Sequence, residues 1–436
     1  MTDFSEKQQA VLTALRDSQR SALVTGVAGC GKSTIIREWM QGSDLGRTML
    51  LAPTGIAALN VGGSTIHRAF GFMPNMDTDD PRITLKTKSL LYTVDTIVID
   101  EVSMVRADLF GAMDIVLRSV KRQLDVPFGG VRMVLVGDFY QLPPVVQQEE
   151  ERWMEQEHGS RAGWVFFSPR FEALDPQVFY LGQSFRQAGD GSFTALLNGI
   201  RKLDTSVVAS INEIAKRPEF AGEEVPRLCS TKKLVSTHND AGLRRLSALG
   251  KQVVSIEPTF TGDQTKIPRE AAETLILAEG ARVMITRNGA GYVNGSLGTL
   301  TSFDATAETW DGTTVAAIEV MLDKGYAVTV PREVTEVYGY EPDPEAANKK
   351  VRKTVLATVS QYPLLLAYAW TIHKSQGQTL EKACIDLGRG AFAHGQTYVA
   401  LSRLTSADGL YLAQPITRSD LLIDPDVVRF CESHTV

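Results

Sequence analysis

Residues 21–33 read SALVTGVAGCGKS, and the eight from Gly26 to Ser33 fit the spacing GxxxxGK[ST]. The apolar run SALVTGV ahead of the loop predicts a strand, and STIIREWM after it has the apolar spacing of a helix. A glycine-rich turn between strand and helix lets backbone N–H groups close around phosphate oxygens at a helix N-terminus. Gly26, Ala28, Gly29, Cys30, Gly31 and Thr34 are therefore the candidate nucleotide cradle. Lys32 supplies positive charge to the β and γ phosphates of ATP, and Ser33 a hydroxyl to Mg2+.

Outward from this loop the same texture returns at TMLLAP (48–53), TIVID (96–100) and VRMVLVGD (131–138). Near-continuous apolar strands alternating with helices predict an α/β fold with a parallel sheet covered on both faces, its functional residues at the strands' carboxyl ends. A second set is expected to begin near Val178. It includes RLCSTKKLVSTHNDAGLRRL (227–246) and resumes at LLLAYAWTIHKSQGQTL (364–380) and KACIDLG (382–388). Between them, roughly 260–355, short alternating segments ARVMIT, GTLTSF, AAIEVML and YAVTVP predict a small antiparallel β insert. The polar stretch EPDPEAANKKVRK (341–353) is expected as a solvated loop.

At 436 residues the chain suggests two to four domains. It carries 43% hydrophobic and 22% charged residues, with no run of about 18 apolar residues that could span a bilayer. No membrane partner is expected, and the N-terminal MTDFSEKQQ resembles no export or transit signal, which leaves the cytoplasm as the expected compartment. Cys30, Cys229, Cys384 and Cys431 show no CxxC spacing, so reduced thiols are expected rather than disulfides or a zinc site. A net charge of -6 excludes a protein that coats nucleic acid by bulk attraction; binding to DNA requires a local groove.

Two further strand ends carry chemistry. Asp100 and Glu101 close the apolar run TIVI: an aspartate suits Mg2+, and the glutamate beside it can orient or deprotonate an attacking water. In GDFYQLPP (137–144), Gln141 is placed to sense the γ-phosphate. Arg186 in GQSFRQ and Arg403 in YVALSR could reach across an interdomain cleft to the phosphates, although either arginine alone is more often a surface or ion-pair residue.

In this order the motifs resemble the Pif1 family of superfamily 1B DNA helicases in its short bacterial or phage form, with RecD and Dda as more distant relatives. FSEKQQ resembles the N-terminal glutamine motif, LAPTGIAA motif Ia and GGSTIHRAFG motif Ib; DEVSM, GDFYQLPPV, SFRQ, TIHKSQGQTL and YVALSR resemble motifs II to VI. The pieces FGG (128–130) and QLPPV (141–145) fit the family pattern, whereas Cys30 and Arg106 depart from it.

The resemblance implies two RecA-like domains: 1A over 1–66 and 86–178, and 2A over 179–258 and 357–436. A small 1B wedge element over 67–85 and an SH3-like insert, 2B, over 259–356 complete the expected layout. It further implies Gln8 as the adenine reader, Gly377 near the nucleotide, and Arg186 with Arg403 as arginine fingers. Pro53, Thr54, His67, His373, Lys374 and Ser375 are implied along the DNA path. The two histidines read alternatively as buried, satisfied side chains, and Phe70, Phe72 and Met73 either as a wedge or as core.

The activity implied is ATP-dependent 5′-to-3′ translocation on single-stranded DNA with unwinding of forks or partial duplexes by a functional monomer, alongside replication or recombination proteins. G-quadruplex DNA is a further implied substrate. A RecD-like subunit serving a nuclease partner and a slow nucleotide-gated switch are the competing readings.

Overall fold

The apolar runs that flank the glycine-rich loop are strands of one sheet. β1 (Ala22–Gly26), β2 (Thr48–Ala52), β3 (Ser64–Thr65), β4 (Thr96–Ile99), β5 (Arg132–Gly137) and β6 (Gln177–Leu181) run parallel in the order β3-β2-β4-β5-β1-β6. Every residue of β1 and β5 is buried, which is why these strands read as unbroken apolar runs rather than alternating ones. The fold class is α/β.

The computed structural model describes residues 4–41, 45–73, 76–218, 225–308, 314–342 and 351–434. The chain divides into a first unit, Met1–Phe185 with Glu336–Ala357 and Asp424–Val436, and a second, Arg186–Thr335 with Thr358–Ile423.

In the first unit the sheet is joined by α1 (Glu6–Asp17), α2 (Lys32–Gln41), α3 (Gly55–Val61), α4 (Ile66–Phe70), α5 (Leu85–Thr93), α6 (Ala107–Lys121), α7 (Glu151–His158) and α8 (Pro169–Leu174). Val11, Leu12 and Leu15 of α1 and Ile35, Ile36 and Trp39 of α2 bury their apolar faces on Val24, Val134 and Val136. Burial of each such side chain contributes roughly 1.5–3 kcal/mol.

Two features correct the sequence reading. The strand near Val178, expected to open a second set, is β6, paired in parallel with β1 from Ala22↔Gln177 to Gly26↔Leu181. An apolar run announces a strand but not which sheet edge it joins. Secondly, the last helix, placed within 357–436 of the second domain, packs in the first unit. Its Phe430 stacks on Phe166 at 4.3 Å and meets Phe139 edge-on at 5.2 Å. Asp424 accepts a hydrogen bond from Trp164 Nε1 at 2.8 Å.

The FGG piece is a structural turn. Phe128 and Gly129 both adopt positive φ, and a Cβ on Gly129 would lie 2.6 Å from the Leu117 carbonyl oxygen. The fully buried Asp114 of α6 accepts from the Phe128 N–H at 2.6 Å and from Arg118 at 2.7 Å.

The second unit holds α9 (Gly191–Arg201), α10 (Val207–Ile214), β7 (Arg227–Cys229) and α11 (Lys232–Ala248), then a run of strands. These are β8 (Val253–Ile256), β9 (Thr259–Gly262), β10 (Leu275–Ala278), β11 (Arg282–Ile285), β12 (Leu297–Glu308), β13 (Thr314–Leu322) and β14 (Ala327–Pro331). There follow β15 (Glu333–Pro342), β16 (Val351–Gln361), β17 (Leu364–Leu366), β18 (Ala369–Thr371), β19 (Ala383–Asp386), α12 (Gln396–Leu401) and β20 (Leu410–Leu412). The last helix of the chain is α13 (Pro425–Ser433).

A parallel sheet, β18-β7-β19-β20, rebuilds the motor texture in this unit. The insert contains the antiparallel sheet β14-β13-β12-β11-β17, and the four alternating segments named from the sequence are its strands β11 to β14. Leu300, Ile318, Val320 and Val330 fill its core. β15, β16 and β9 form a three-stranded sheet, and β8 pairs with β10. The distal part of the β15–β16 hairpin belongs to the first unit, where Tyr340 Oη accepts from the Leu50 N–H at 3.0 Å. Most of the stretch expected as a solvated loop, 343–350, lies outside the described residues.

Candidate active site

β1 delivers the loop at the carboxyl end of the first sheet. Gly26 has φ +152°, and a Cβ there would come within 2.2 Å of the Leu181 carbonyl oxygen, so only glycine allows β6 to lie this close. Gly31 has φ +83°, and a Cβ would meet the Gln8 amide nitrogen at 2.6 Å. The loop is propped from outside by residues that the sequence reading did not single out. The Ser184 hydroxyl donates to Ala28 O at 2.9 Å, and the Phe185 N–H to Gly29 O at 3.0 Å.

Lys32 Nζ donates to Gly26 O at 3.0 Å and Val27 O at 3.1 Å and approaches Cys30 Sγ at 3.6 Å. Gln8, buried, caps α1 through Ser5 and donates its amide to Cys30 O at 3.0 Å, so the glutamine motif touches the loop directly.

Across the loop, Ser33 Oγ lies 3.5 Å from Asp100 Oδ2. Desolvation pushes the Asp100 carboxyl above its ordinary range, opposed by the Glu101 backbone N–H and by the charges of Lys32 and Arg37. A desolvated carboxylate facing a hydroxyl is an all-oxygen donor pair that a hard divalent cation suits, and Mg2+ fits here. Glu101 sits at φ +55°, ψ +45°, a left-handed conformation that costs a non-glycine residue on the order of 1–3 kcal/mol.

At the end of β5, Gln141 donates to the buried carboxylate of Asp138 at 3.3 Å, and the Tyr140 N–H donates to the same side chain at 3.2 Å. Asp138 was missed in the sequence, although it follows an apolar strand as Asp100 does. Arg106, the departure from the family pattern, pairs with Asp108 at 2.9 Å and Glu150 at 2.8 Å, and its guanidinium holds Glu150 below the usual carboxylate range. It thereby ties the segment after Glu101 to the one after QLPPV.

The candidates for DNA contact divide by unit. In the first, Pro53 follows β2 and Thr54 caps α3 by accepting from the Ala57 N–H at 3.2 Å. His67 on α4 is half-buried, and burial lowers its pKa, with Asp108 opposing and Arg106 adding to the shift. Phe70 and Phe72 are buried against each other with ring centroids 5.2 Å apart, so they are core; Met73 stays exposed. Neighbouring Pro74 and Asn75 lie outside the described residues.

In the second unit, His373 is exposed, Lys374 pairs with Glu273 at 2.7 Å, and Ser375 is fully buried with its hydroxyl donating to Ile372 O. Ser375 thus holds the turn instead of lining a surface. Gly377 is exposed at φ +78°. Arg403 is buried and donates to Val399 O at 3.1 Å, Ser375 O at 3.5 Å and Ser402 Oγ at 3.2 Å; Arg186 donates to Ser402 O at 2.8 Å and Thr379 Oγ1 at 3.0 Å. The two arginines therefore converge on Ser402, a relationship invisible in their 217-residue separation in sequence.

The sequence profile of the PIF1-like helicases matches residues 3–162. Over 444 residues the chain is 33% identical to the ATP-dependent DNA helicase Pif1 of Bdellovibrio bacteriovorus, covering 98% of this chain and 91% of that one. The fold matches Pif1 from a Bacteroides species in complex with ADP-AlF4 at a TM-score of 0.85 and 28% identity, covering 100% of this chain and 98% of the other. A Pif1 helicase from Bacteroides in complex with ADP-AlF3 and single-stranded DNA matches at a TM-score of 0.66, 28% identity and the same coverage. Identity of this degree along almost the whole of both chains places the protein by descent as well as by fold: it belongs to the Pif1 family of helicases.

Proposed function

We propose that this chain couples ATP hydrolysis to 5′-to-3′ movement along single-stranded DNA and separates duplex DNA ahead of it. The observation that carries this reading is the phosphate loop: Lys32 is held over its own carbonyls while Ser33 and Asp100 face each other beside it. The relatives are ATP-dependent DNA helicases, and the Bacteroides protein binds single-stranded DNA. RecA-like motor domains supply the fold.

ATP binds at Gly26, Ala28, Gly29, Cys30, Gly31 and Thr34, with Gln8 reading the base and Gly377 near the nucleotide. Lys32 draws the β and γ phosphates, and Ser33 and Asp100 hold Mg2+, which spreads the charge developing on the phosphates. Glu101 orients the attacking water, Gln141 reports the γ-phosphate, and Arg186 with Arg403 supply the transition-state charge. Pro53, Thr54, His67, His373, Lys374 and the turn held by Ser375 grip the strand through its backbone, independent of sequence. The working form is a monomer on a fork or partial duplex.

Opening a base pair costs on the order of 1.4 kcal/mol of stacking, a modest load for one ATP. Among the described residues no helix is long and apolar enough to cross a membrane. The test is ATP hydrolysis with and without single-stranded DNA. Strong stimulation supports the motor, and an unstimulated basal rate supports a nucleotide-gated switch instead.

A further inference from the structure

In the second unit, β7 and β19 lie side by side in parallel with Cys229 opposite Asp386, both at the carboxyl ends of their strands. His238, the seventh residue of α11, reaches down to them: its Nε2 lies 2.9 Å from Asp386 Oδ2. One sulfur, one imidazole nitrogen and one carboxylate oxygen, from Cys229, His238 and Asp386, all lie within 4.8 Å of one another. None of the three is used by the motor chemistry above.

We propose that Cys229, His238 and Asp386 form a binding site for a transition-metal divalent cation of the zinc class. The donor set is the borderline-soft S, N and O combination that Zn2+ prefers, unlike the all-oxygen pair at Ser33 and Asp100. Two donors come from adjacent strands of a rigid parallel sheet, and the third from a helix packed on that sheet. The geometry is therefore fixed by the fold rather than by a loop. Tetrahedral bonds of about 2.0–2.3 Å put ligand atoms about 3.5 Å apart. His238 Nε2 and Asp386 Oδ2, at 2.9 Å, are closer than that, so a bound cation would draw them slightly apart.

A second layer is already in place. The Gly388 N–H donates to Asp386 Oδ1 at 3.1 Å and orients the carboxylate so that Oδ2 faces the site. Arg227, 3.7 Å from Asp386 Oδ2 and hydrogen-bonded to Cys384 Sγ at 3.6 Å, balances the carboxylate's charge when no cation is bound. Three protein ligands leave a fourth position for water. Occupancy would staple α11 to the carboxyl ends of the two central strands, at the start of the segment that leads into α12 and Arg403. The sequence concealed this site because Cys229 has no CxxC neighbour and its partners lie 9 and 157 residues away.

The test uses the full chain, stripped with a chelator and titrated with Co2+. The expected result is close to one equivalent bound with an intense thiolate-to-cobalt band in the near ultraviolet, displaced by Zn2+. Ser33 and Asp100 offer only oxygen and give no such band. Cys229→Ser should abolish the band, and His238→Gln should weaken binding roughly tenfold or more. Cys431→Ser, on α13 and outside the cluster, should keep both the band and the affinity. Absence of the band in the unaltered chain overturns the proposal, as does its persistence in Cys229→Ser. If Cys229→Ser fails to fold, an unchanged affinity in His238→Gln overturns it equally.

Discussion

The ammonium group of Lys32 and the carbonyl oxygen of Gly26 are hydrogen-bonded at 3.0 Å, so the loop holds its cation where phosphate oxygens are received. Replacing two carbonyl partners with phosphate oxygens strengthens each contact, because the acceptors become charged. Lys32→Ala is expected to lower the rate of ATP hydrolysis at least about a hundredfold while leaving single-stranded DNA binding measurable by fluorescence anisotropy. Hydrolysis near the unaltered rate would remove the loop from its assigned role.

Arg403 is buried with its guanidinium spread over Val399, Ser375 and Ser402. Arg403→Lys keeps a charge but loses the planar fork, so nucleotide binding should survive and turnover should fall by about a thousandfold. A single-turnover assay with labelled ATP distinguishes the two steps. If turnover stays near normal, the finger role passes to Arg186.

Burial depresses the pKa of His67 below its ordinary 6.5. The unfolded chain therefore takes up this proton first as pH falls. Stability from keeping the ring neutral is present above about pH 6.5, is lost progressively below it, and levels off under the folded-state value. His67→Gln should show a shallower decline in thermal midpoint between about pH 7.5 and about pH 5.5 than the unaltered chain. Parallel declines in the two would show that His67 titrates as it does in water.

Phe430 anchors α13 on Phe166 and Phe139. Phe430→Ala should destabilise the first unit by about 2 kcal/mol, at the low end for an aromatic truncation because the ring is half-exposed. Denaturant unfolding followed by circular dichroism measures it, and no shift in midpoint would mean that the helix is not anchored.

Much of the site was legible because its chemistry is local. GxxxxGKS and the carboxylates closing β4 carry their own context, since strand, loop and helix follow each other in the chain. The antiparallel insert was legible for the same reason, its alternation being a property of each strand. What stayed hidden depends on partners far apart in sequence. β6 gave no sign of joining β1, α13 none of returning to the first unit, and Arg186 and Arg403 none of meeting at Ser402. Nor did the sequence choose between wedge and core for Phe70 and Phe72, because an aromatic residue at the end of a short helix has the same pattern whether it faces solvent or core. The left-handed turn at Glu101 has no sequence signal, because the residue there is not glycine.

Directional movement driven by ATP is tested by strand displacement on partial duplexes bearing either a 5′ or a 3′ single-stranded tail, with ATP and Mg2+. Unwinding of the 5′-tailed substrate alone is expected, dependent on hydrolysis and absent in Lys32→Ala. Unwinding from the 3′ tail, or hydrolysis stimulated by DNA with no displacement from either, would contradict it.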